Sequence, residues 1–398
     1  MSSPLRTLGI YVDGPYGIVD TPEGVRVAPD PADFPFLSFV CEVGQGFDSL
    51  VLFGRAKEVQ PGERRLLLPT HAELEPLPHY EDLRKLGQVA RAGVGTARGF
   101  WRGLARMDVV WVFGPHPFSF ILVALALLRR RRVVLGVRQD TVEYFRSRLP
   151  DGRWKPVLLA VQALDAGFRA LARVTRTTVV GAEIERRYGG PRASLLPVTI
   201  SLIRARDVLA QPVDRDWSGA IRLLTVGRVD REKNPLLLVE AMAQLERRDP
   251  GRYSLTWVGT GPLEDAVRER AVELGVADRI DMLGFVAFGP RLLTLYREAH
   301  TFVHVSLTEG VPAVLIEALA SGTPVVATDV GGVGEALDEG RAGELVPATD
   351  LDALVAAVVR VGEEAGRREQ RVARGLELAR ERALDVQAAQ VAAFVAGD

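Results

Sequence analysis

The chain has 398 residues, of which 47% are hydrophobic and 25% charged, and its formal net charge is −1. This length suits two domains of about 200 residues each, and a net charge near zero excludes a bulk positive field that would attract nucleic acid. Cys41 is the only cysteine, which excludes an intrachain disulfide and a cysteine-built metal site and favours a reducing compartment.

The first half is predicted to contain neither a secretion signal nor a membrane span. Residues 1–12 carry no long apolar run and no cleavage site, so they predict a first strand. The longest apolar run, at 118–128, is shorter than the about 20 residues that cross a bilayer. We therefore predict a cytoplasmic protein, with contact to the inner face of the membrane as a further expectation.

Short apolar runs alternate with helical patterns along the whole chain, which predicts α/β folding around parallel sheets. In the first half, the predicted strands are 8–12, 50–53, 109–113, 133–137 and 177–180. The predicted helices between them include 80–106, 117–128 and 156–173. In the second half, the predicted strands are 221–226, 254–258, 280–283, 301–305, 324–327 and 343–346. Two such halves predict two Rossmann-like domains.

The boundary between the two halves is predicted where Pro212, Ser218 and Gly219 interrupt the pattern. After the last strand the chain remains helical to Phe394. The predicted division is an N-terminal domain at 1–205, a linker at 206–219, a C-terminal domain at 220–376 and a C-terminal helix at 377–398.

A charged turn follows the first strand of the second half. Gly227 allows a sharp turn at the strand end, and Arg228 and Lys233 come after it. Two fixed cations at this place would stabilise negative charge that develops on a phosphate leaving group. A solvated charged loop is the alternative interpretation.

A glycine pair, Gly259 and Gly261, follows the second strand of this half. Because glycine has no Cβ, the backbone of such a turn can approach a ligand closely. The spacing is not G-x-G-x-x-G, since Glu264 takes the third place, and a nicotinamide cofactor is therefore not predicted. A plain strand-to-helix turn is the alternative.

The most informative segment contains two glutamates, Glu309 and Glu317, separated by seven residues. A predicted turn leads from the strand at 301–305 into a helix that begins near Pro312, where a missing N–H has no cost. A helix that opens at the end of a parallel strand offers N–H groups and a positive dipole end to a phosphate. Since carboxylates repel a phosphate, we expect the two glutamates to bind sugar or ribose hydroxyls.

The whole string from Ser306 to Thr328, Ser-x-x-Glu-Gly-x-Pro-x-x-x-x-Glu-Ala-x-Ala-x-Gly-x-Pro-Val-Val-Ala-Thr, resembles the E-x7-E signature of retaining glycosyltransferases of family 4. The resemblance covers about residues 206–375. It implies the GT-B fold, an α/β architecture of two Rossmann-like domains facing a cleft, with a C-terminal helix crossing back to the first domain. A strand–helix–strand unit with two solvated glutamates is the alternative.

The resemblance also implies roles for individual residues. Arg228, Lys233 and Glu309 would be the catalytic residues, and Glu317 would bind the ribose hydroxyls of a nucleotide-sugar. The other residues expected at the donor site are Gly227, Gly259, Gly261, Phe285, Val286, Gly310, Val311, Pro312, Ala313, Val314, Gly331 and Gly332. No metal or other cofactor is expected, because the two cations and the helix start would supply the countercharge.

The first half resembles the family less closely. Asp13–Gly17 takes the place of a glycine-rich loop after the first strand, which makes Gly14 a candidate for the acceptor or sugar site. Arg138, followed by Asp140, stands where many members have a histidine and would bind an anionic sugar or acceptor; an Arg138–Asp140 ion pair is the alternative. His116, after another strand, is a further candidate, with a structural histidine as the alternative.

Basic and aromatic residues around the end of the helix predicted at 80–106 form a second candidate surface. They would suit contact with an anionic membrane, and a solvated helix face is the alternative. The residues are Arg98, Phe100, Trp101, Arg102, Leu104 and Arg106, together with the four arginines at 129–132.

Three other functions compete with this interpretation. A metal-dependent enzyme of the other glycosyltransferase fold would use Asp-x-Asp; of the two matches, 214–216 lies in the predicted linker and 350–352 resembles a helix N-cap. A non-catalytic nucleotide-sugar-binding subunit would lack Arg228, Lys233 or Glu317, and all three are present. A sugar-nucleotide epimerase would share the architecture.

The expected reaction is therefore transfer of a sugar from a UDP- or GDP-sugar to an acceptor hydroxyl with retention of configuration, in glycolipid, polysaccharide or glycoconjugate biosynthesis. By resemblance, attack occurs on the front face and the leaving phosphate takes the acceptor proton. The expected partners are the nucleotide-sugar and a carbohydrate, lipid-linked or small-molecule acceptor, with peripheral membrane contact and no nucleic acid.

Overall fold

The computed structural model describes residues 6–21, 24–29, 34–57, 66–81, 85–148, 155–190 and 193–397. The chain divides into two compact units. The first unit is Met1–Ile200 with Gln387–Asp398, and the second is Ser201–Val386. No helix within the described residues has the length and apolar content needed to span a bilayer.

The first unit is built on a mixed sheet. Its described strands are β1 (Thr7–Thr21), β2 (Gly24–Ala28), β3 (Ser49–Lys57), β4 (Leu66–Leu67), β5 (Ala72–Leu77), β6 (Val109–Phe113), β7 (Arg132–Val137), β8 (Arg176–Val180) and β9 (Ser194–Val198). The parallel part has the order β5-β3-β1-β6-β7-β8-β9, and β2 and β4 add an antiparallel edge. The carboxyl ends of the parallel strands therefore share one edge of the sheet.

Strand β1 is longer than the sequence predicts. The sequence indicates a strand at 8–12 followed by a loop at Asp13–Gly17, whereas the structure continues the strand to Thr21. Two features hold the extension: Pro15–Gly17 pair with Arg55–Lys57 of β3 after a register shift, and Gly17–Thr21 pair with β2. The loop prediction is therefore wrong, because strand pairing outweighs the turn preference of glycine and proline here.

Helices cover the faces of this sheet. They are α1 (Phe34–Gly44), α2 (Leu86–Gly103), α3 (Pro117–Leu128), α4 (Thr141–Arg148), α5 (Lys155–Ala172) and α6 (Ala182–Tyr188). The prediction for α3 is confirmed at both ends, whereas α2 begins six residues later than predicted, at Leu86 rather than at Tyr80. Tyr80 instead lies before the helix, in a segment without regular secondary structure, and its side chain is buried. One core packs side chains of α2, α3 and α5, such as Phe100, Leu122 and Phe168, on the sheet.

The second unit contains an all-parallel sheet. Its strands are β10 (Ile221–Val226), β11 (Tyr253–Val258), β12 (Ile280–Gly284), β13 (Thr301–His304), β14 (Val325–Thr328) and β15 (Glu344–Val346). Their order, β12-β11-β10-β13-β14-β15, is the doubly wound order of a Rossmann fold. The direction of winding changes between β10 and β13, and ligands of such sheets bind outside the carboxyl ends of the strands at this switch point.

Helices pack on both faces of this second sheet. They are α7 (Pro235–Arg248), α8 (Glu264–Glu273), α9 (Pro290–Glu298), α10 (Ala313–Ala320), α11 (Val333–Ala336), α12 (Leu351–Glu363) and α13 (Ala365–Glu381). Leu223 belongs to the core with α7, α8 and α12, whereas its neighbour Leu224 belongs to the core with α9, α10 and α13. Successive residues of a strand point to opposite faces, so the sheet is covered on both sides.

The segment at 206–219, which the sequence predicts as a linker, is packed within the second unit. The Leu209 amide donates to the Ala320 carbonyl at 2.9 Å, and the Arg215 guanidinium donates to the Gly322 carbonyl at 2.9 Å. The structure thus places the boundary after Ile200. A segment rich in proline and serine can still be ordered where its backbone groups find partners.

The last helix, α14 (Leu384–Ala396), returns to the first unit as the resemblance implies, since its residues from Gln387 onward belong to that unit. Arginines of the first unit bind carbonyls of its last turn. Arg176 donates to the Phe394 carbonyl at 2.7 Å, and Arg6 donates to the Ala396 carbonyl at 3.1 Å. Cations at a helix C-terminus satisfy carbonyls that have no intrahelical partner.

Candidate active site

The predicted donor-site residues lie in the loops that follow strands β10 to β14, except Ala313, Val314 and Glu317, which lie in α10. The loops after β10 and β13 flank the switch point of the second sheet. They are joined by a backbone hydrogen bond at 2.8 Å, in which Leu307 donates to the Glu232 carbonyl. The fold therefore brings together two segments that are about 75 residues apart in the sequence.

A cluster of four polar side chains forms where these two loops meet. Lys233 donates to Oε1 of Glu309, and His304 Nε2 and Ser306 Oγ lie 2.9 and 2.8 Å from the same oxygen. Lys233 is positioned by a short turn in which the Asp230 carboxylate accepts the Lys233 amide at 3.2 Å. We call Lys233, His304, Ser306 and Glu309 the lysine–glutamate cluster.

The environment of Glu309 keeps it ionised. Burial by itself would raise the pKa of this carboxyl, but the hydrogen bond with His304 and the charge of Lys233 outweigh burial and lower the pKa to about 2. Since an ionised carboxylate only accepts hydrogen bonds, the His304 tautomer that fits carries its proton on Nε2. The cluster thus presents a fixed carboxylate with one cation directly beside it.

The sequence interpretation identified Lys233 and Glu309 but missed His304 and Ser306. His304 ends β13 and is buried. A histidine in a buried strand needs a hydrogen-bonding partner, and this requirement was the signal that could have identified it. Ser306 is also buried, and its amide donates to Thr328 Oγ1 at 2.8 Å.

Arg228 lies outside the lysine–glutamate cluster. Its guanidinium pairs with Asp230 at 3.0 Å and with Glu232 at 3.1 Å, and 67% of its side chain is exposed. This arrangement corresponds to the charged loop that the sequence allowed as an alternative. A role of Arg228 in binding an anion therefore requires the side chain to exchange its carboxylate partners for the ligand.

Glu317, in contrast to Glu309, is buried among apolar side chains. It lies in α10 with 6% of its surface exposed, and one carboxylate oxygen accepts a hydrogen bond from the Tyr296 hydroxyl at 2.9 Å. Burial raises the pKa of Glu317 to about 7, against the smaller opposite effect of the Tyr296 hydrogen bond. The two glutamates of this segment therefore differ in ionisation and in partners.

The predicted glycines hold neighbouring loops together. A Cβ on Gly259, whose φ is +138°, would lie 1.9 Å from the Gly227 carbonyl oxygen, and a Cβ on Gly331 would lie 1.9 Å from the Glu309 carbonyl oxygen. Gly332 donates its amide to the Gly310 carbonyl at 2.9 Å. Because these glycines have no side chains, the loops can pack closely against each other. This close packing is a structural reason for glycine here, in addition to the close approach of a ligand that the sequence suggested.

The predicted helix start is confirmed. Helix α10 begins at Ala313, directly after Pro312, and no side chain caps it. Its first N–H groups have no intrahelical partner and lie at the positive end of the helix dipole. In the loop after β12, Phe285 is exposed and Val286 is buried.

The first unit contains a separate polar cluster around Asp13 of β1. Asp13 accepts hydrogen bonds from the Tyr80 hydroxyl at 2.8 Å and the Tyr11 hydroxyl at 3.1 Å, and Arg55 pairs with it at 3.2 Å. His116 Nε2 lies 3.2 Å from the Tyr80 hydroxyl, and burial lowers the pKa of His116. A histidine held neutral in this way can donate one hydrogen bond and accept another.

The first unit contains a cavity of about 220 Å³ that is lined by His116 and Arg138, two of the candidates from the sequence. Asp13 and Gln139 also contribute to its wall. The guanidinium of Arg138 lies 4.1 Å above the ring of Phe36. The cavity thus combines an imidazole and a guanidinium in one wall.

Asp140 and Gly14 make contacts within the first unit. Asp140 pairs with Arg187 and accepts the Glu143 amide at 2.9 Å at the start of α4. Gly14 lies within β1, where a Cβ would contact the Tyr16 hydroxyl at 3.3 Å.

Asp350 accepts the Ala353 amide at 2.9 Å and caps α12, which confirms the N-cap predicted there. Asp216 accepts hydrogen bonds from Ser218. Within the described ranges, no group of three or more His, Cys, Asp or Glu side chains is arranged to hold a metal ion.

The fold is that of GT-B glycosyltransferases, as the resemblance implied. The chain is similar to Anabaena HepE in complex with UDP, with a TM-score of 0.68 and 17% identity over 99% of this chain and 100% of that chain. It is also similar to sucrose-phosphate synthase from Thermosynechococcus elongatus, with a TM-score of 0.65 and 18% identity over 97% of this chain and 98% of that chain. At these identities the likeness concerns the fold.

Sequence similarity is concentrated in part of the chain. Residues 220–364 match the family model described as Glycosyl transferases group 1. The D-inositol 3-phosphate glycosyltransferase of Nocardia farcinica is 43% identical over 129 residues, which are 30% of this chain and 28% of the relative. That of Saccharomonospora viridis is 36% identical over 202 residues, 49% of this chain and 43% of the relative. The chain thus spans less than half the length of these curated relatives.

Proposed function

We propose that this protein is a retaining, metal-independent glycosyltransferase that uses a UDP- or GDP-sugar. The observation that carries the proposal is the lysine–glutamate cluster at the switch point of the doubly wound second sheet. The segment that matches the glycosyltransferase group 1 model, 220–364, contains all four residues of this cluster. The proposed cellular location is the cytoplasm, where a buried, reduced Cys41 is stable.

The proposed donor site combines the start of α10 with Lys233. Unpaired N–H groups and the dipole of α10 favour a phosphate, and Lys233 adds a positive charge at the adjacent loop. Glu317 would accept ribose hydroxyls with the oxygen that Tyr296 does not occupy. The UDP bound to HepE, a protein of the same fold, supports a nucleoside diphosphate as the ligand class.

In the proposed reaction, the bond between the anomeric carbon and the diphosphate oxygen breaks, and its electron pair stays on the diphosphate. The acceptor oxygen forms a bond to the same face of the anomeric carbon, and its proton passes to the leaving phosphate. Lys233 stabilises the charge on the departing diphosphate. Glu309, held ionised by Lys233 and His304, lies at the transferred sugar and stabilises positive charge that develops on its ring.

The proposed acceptor site is the cavity of the first unit that His116 and Arg138 line. A guanidinium stays protonated and binds carboxylate or phosphate groups in bidentate geometry, so we propose an acceptor that carries such a group. The names of the curated relatives, which specify a phosphorylated inositol, support this class. Arg138→Ala should raise the KM for the acceptor and leave slow donor hydrolysis unchanged.

The test is a panel of UDP-, GDP- and ADP-sugars incubated with the purified protein without acceptor, with release of the nucleoside diphosphate as the readout. Slow hydrolysis of one donor is expected, and it should persist in EDTA. Loss of hydrolysis in EDTA that Mg²⁺ or Mn²⁺ restores would contradict metal independence. NMR of the first anomeric product then decides between retention and inversion.

A further inference from the structure

The solvent-facing side of α3 consists of apolar residues. The helix carries no charged residue, and its one serine, Ser119, is buried with its hydroxyl donating to the Phe113 carbonyl at 2.6 Å. On the outer side, Leu127 is 56% exposed, Leu128 is 71% exposed, and Ile121 is also exposed. A helix that is apolar on all sides is ordinarily buried, so this exposed side indicates a partner.

Helix α2 extends the apolar surface. Val94, Arg98 and Trp101 lie one and two turns apart on one side of α2, and Val94 and Trp101 are exposed. A groove of about 810 Å³ separates this side from α3, and Leu125 of α3 lines it together with Val94 and Trp101. We call the exposed apolar residues of the two helices, together with the arginines beside them, the α2–α3 face. The apolar residues are Val94, Trp101, Ile121, Leu127 and Leu128.

Arginines surround this apolar area. The guanidinium of Arg129 lies 3.8 Å above the ring of Trp101, and Arg98 lines the groove. The other arginines of the α2–α3 face are Arg102, which lines the groove, and Arg106, which pairs with the same Glu75 as Arg102. The carboxylates that contact these arginines in the described residues are Glu73, with Arg106, and Glu75, with Arg102 and Arg106. Four arginines, Arg98, Arg102, Arg106 and Arg129, against two glutamates leave the face positive.

We propose that the α2–α3 face docks on an anionic lipid bilayer. Leucine and tryptophan side chains that project between arginines fit the boundary between lipid tails and headgroups, where the apolar groups enter and the guanidinium groups bind phosphates. Each arginine near an anionic membrane surface adds favourable electrostatic energy. The proposal concerns peripheral binding, since α3 is too short to cross the bilayer.

The charge of the face disfavours a second copy of the chain as the occupant. In a symmetric dimer the same surface contacts itself, and arginines would face arginines across the contact. Like charges across an interface are unfavourable. A bilayer that contains anionic lipid supplies both the negative charge and the apolar phase that the face requires.

The test is co-sedimentation of the purified full chain with vesicles of phosphatidylcholine alone and of phosphatidylcholine mixed with phosphatidylglycerol. Binding is expected to the mixed vesicles only and should weaken as salt is raised. The double variant Leu127→Ser/Leu128→Ser should reduce the partition coefficient at least about tenfold, because two apolar side chains no longer enter the membrane. Arg98→Gln/Arg102→Gln should reduce it about tenfold as well.

Matched controls lie in the second unit. Val272 on α8 is 68% exposed, and Arg247 and Arg268 are exposed arginines on helices of that unit. Val272→Ser and Arg247→Gln/Arg268→Gln should bind vesicles like the unaltered chain. All variants should keep its thermal unfolding midpoint.

Three results would overturn the proposal: no binding to the mixed vesicles, equal loss of binding in the control variants, or self-association in sedimentation velocity that Leu127→Ser/Leu128→Ser abolishes. The last result would assign the face to a second copy. None of these readouts depends on glycosyl transfer, so failure here leaves the proposed function intact.

Discussion

At the scale of single residues, two glutamates on one short segment have different chemistry because their surroundings differ. Glu309 has a lysine, a histidine and a serine on one oxygen, and its pKa falls to about 2. Glu317 has one tyrosine hydroxyl and an apolar environment, and its pKa rises to about 7. A carboxylate with a permanent charge suits charge stabilisation, whereas a carboxyl that titrates near neutrality changes its hydrogen bonding with pH.

Replacement of Lys233 tests the charge that the cluster supplies. Lys233→Ala should lower turnover about 10²–10³-fold, as expected for loss of one preorganised group that stabilises developing charge. Lys85→Ala is the matched control, since Lys85 is an exposed lysine paired with Glu81. Steady-state kinetics measures both variants with the donor that the panel of nucleotide-sugars selects. Equal turnover in Lys233→Ala and Lys85→Ala would remove Lys233 from the reaction.

Glu317 should make stability fall as pH rises through neutrality. Because the pKa in the folded state is about 7 and the ordinary value is 4.5, the folded protein binds more protons than the unfolded chain between these values. The stability that Glu317 contributes is therefore present below pH about 5. It is lost as pH rises towards 8, which lowers the free energy of unfolding by up to about 3 kcal/mol. Glu317→Gln should remove this dependence, which urea unfolding at pH 5 and pH 8 measures. Identical pH profiles for both proteins would contradict the assignment.

At the scale of elements, the site is assembled by loops whose backbones touch. The turns after β10 and β11 approach at Gly227 and Gly259, and the turns after β13 and β14 approach at Glu309 and Gly331. At these contacts neither Gly259 nor Gly331 has room for a Cβ. The loop that carries Glu309 thus contacts the turn after β14. It is also joined to the loop after β10 by the hydrogen bond from the Leu307 amide to the Glu232 carbonyl.

Alanine at Gly259 should destabilise the second unit. The position has φ +138° and a Cβ there would overlap the Gly227 carbonyl, so the cost should exceed about 1 kcal/mol. Gly227→Ala is the matched control from the same pair of loops, because its Cβ would meet only the Lys233 side chain at 3.9 Å. Chemical unfolding of both variants compares them. A Gly259→Ala protein as stable as Gly227→Ala would show that the loops separate at no cost.

At the scale of the whole molecule, the chain forms two units with their own cores, and the proposed donor residues belong to the second. The segment at 201–219, before β10, belongs to this unit as well. Ile203 is buried there, and its carbonyl accepts the Leu384 amide at 2.6 Å. A fragment of the second unit must therefore include this segment to satisfy its own backbone groups.

A fragment of residues 201–386 should fold and bind UDP or GDP while transferring no sugar, because the proposed acceptor cavity lies in the first unit. A fragment of 220–386 should unfold at a lower temperature, since it lacks Ile203 and the bonds of Leu209 and Arg215. Titration calorimetry with UDP, GDP and ADP measures binding, and differential scanning calorimetry measures the unfolding temperature. A folded 201–386 fragment that binds none of the three nucleotides would contradict the donor assignment.

The sequence by itself determined the elements that depend on local pattern and turn chemistry. These include β6, α3 and β10 at their observed bounds, the start of α10 after Pro312 and the cap at Asp350. Each is set by residues within about one element's length, where hydrophobic periodicity and capping decide. The positions of Lys233 and Glu309 in turns at strand ends, and of Glu317 in the helix after Pro312, followed from the same local signals.

Only the tertiary structure decided which of these side chains meet. Lys233 and Glu309 are 76 positions apart, and their contact depends on β10 and β13 being neighbours in the sheet. The extension of β1 through Asp13–Gly17 likewise depends on pairing with β3, against local turn preference. The ionisation of Glu317 depends on the burial that packing of α9 and α10 creates around Tyr296. Strand pairing and burial bring together residues that are distant in the sequence, so the local sequence pattern does not predict these contacts.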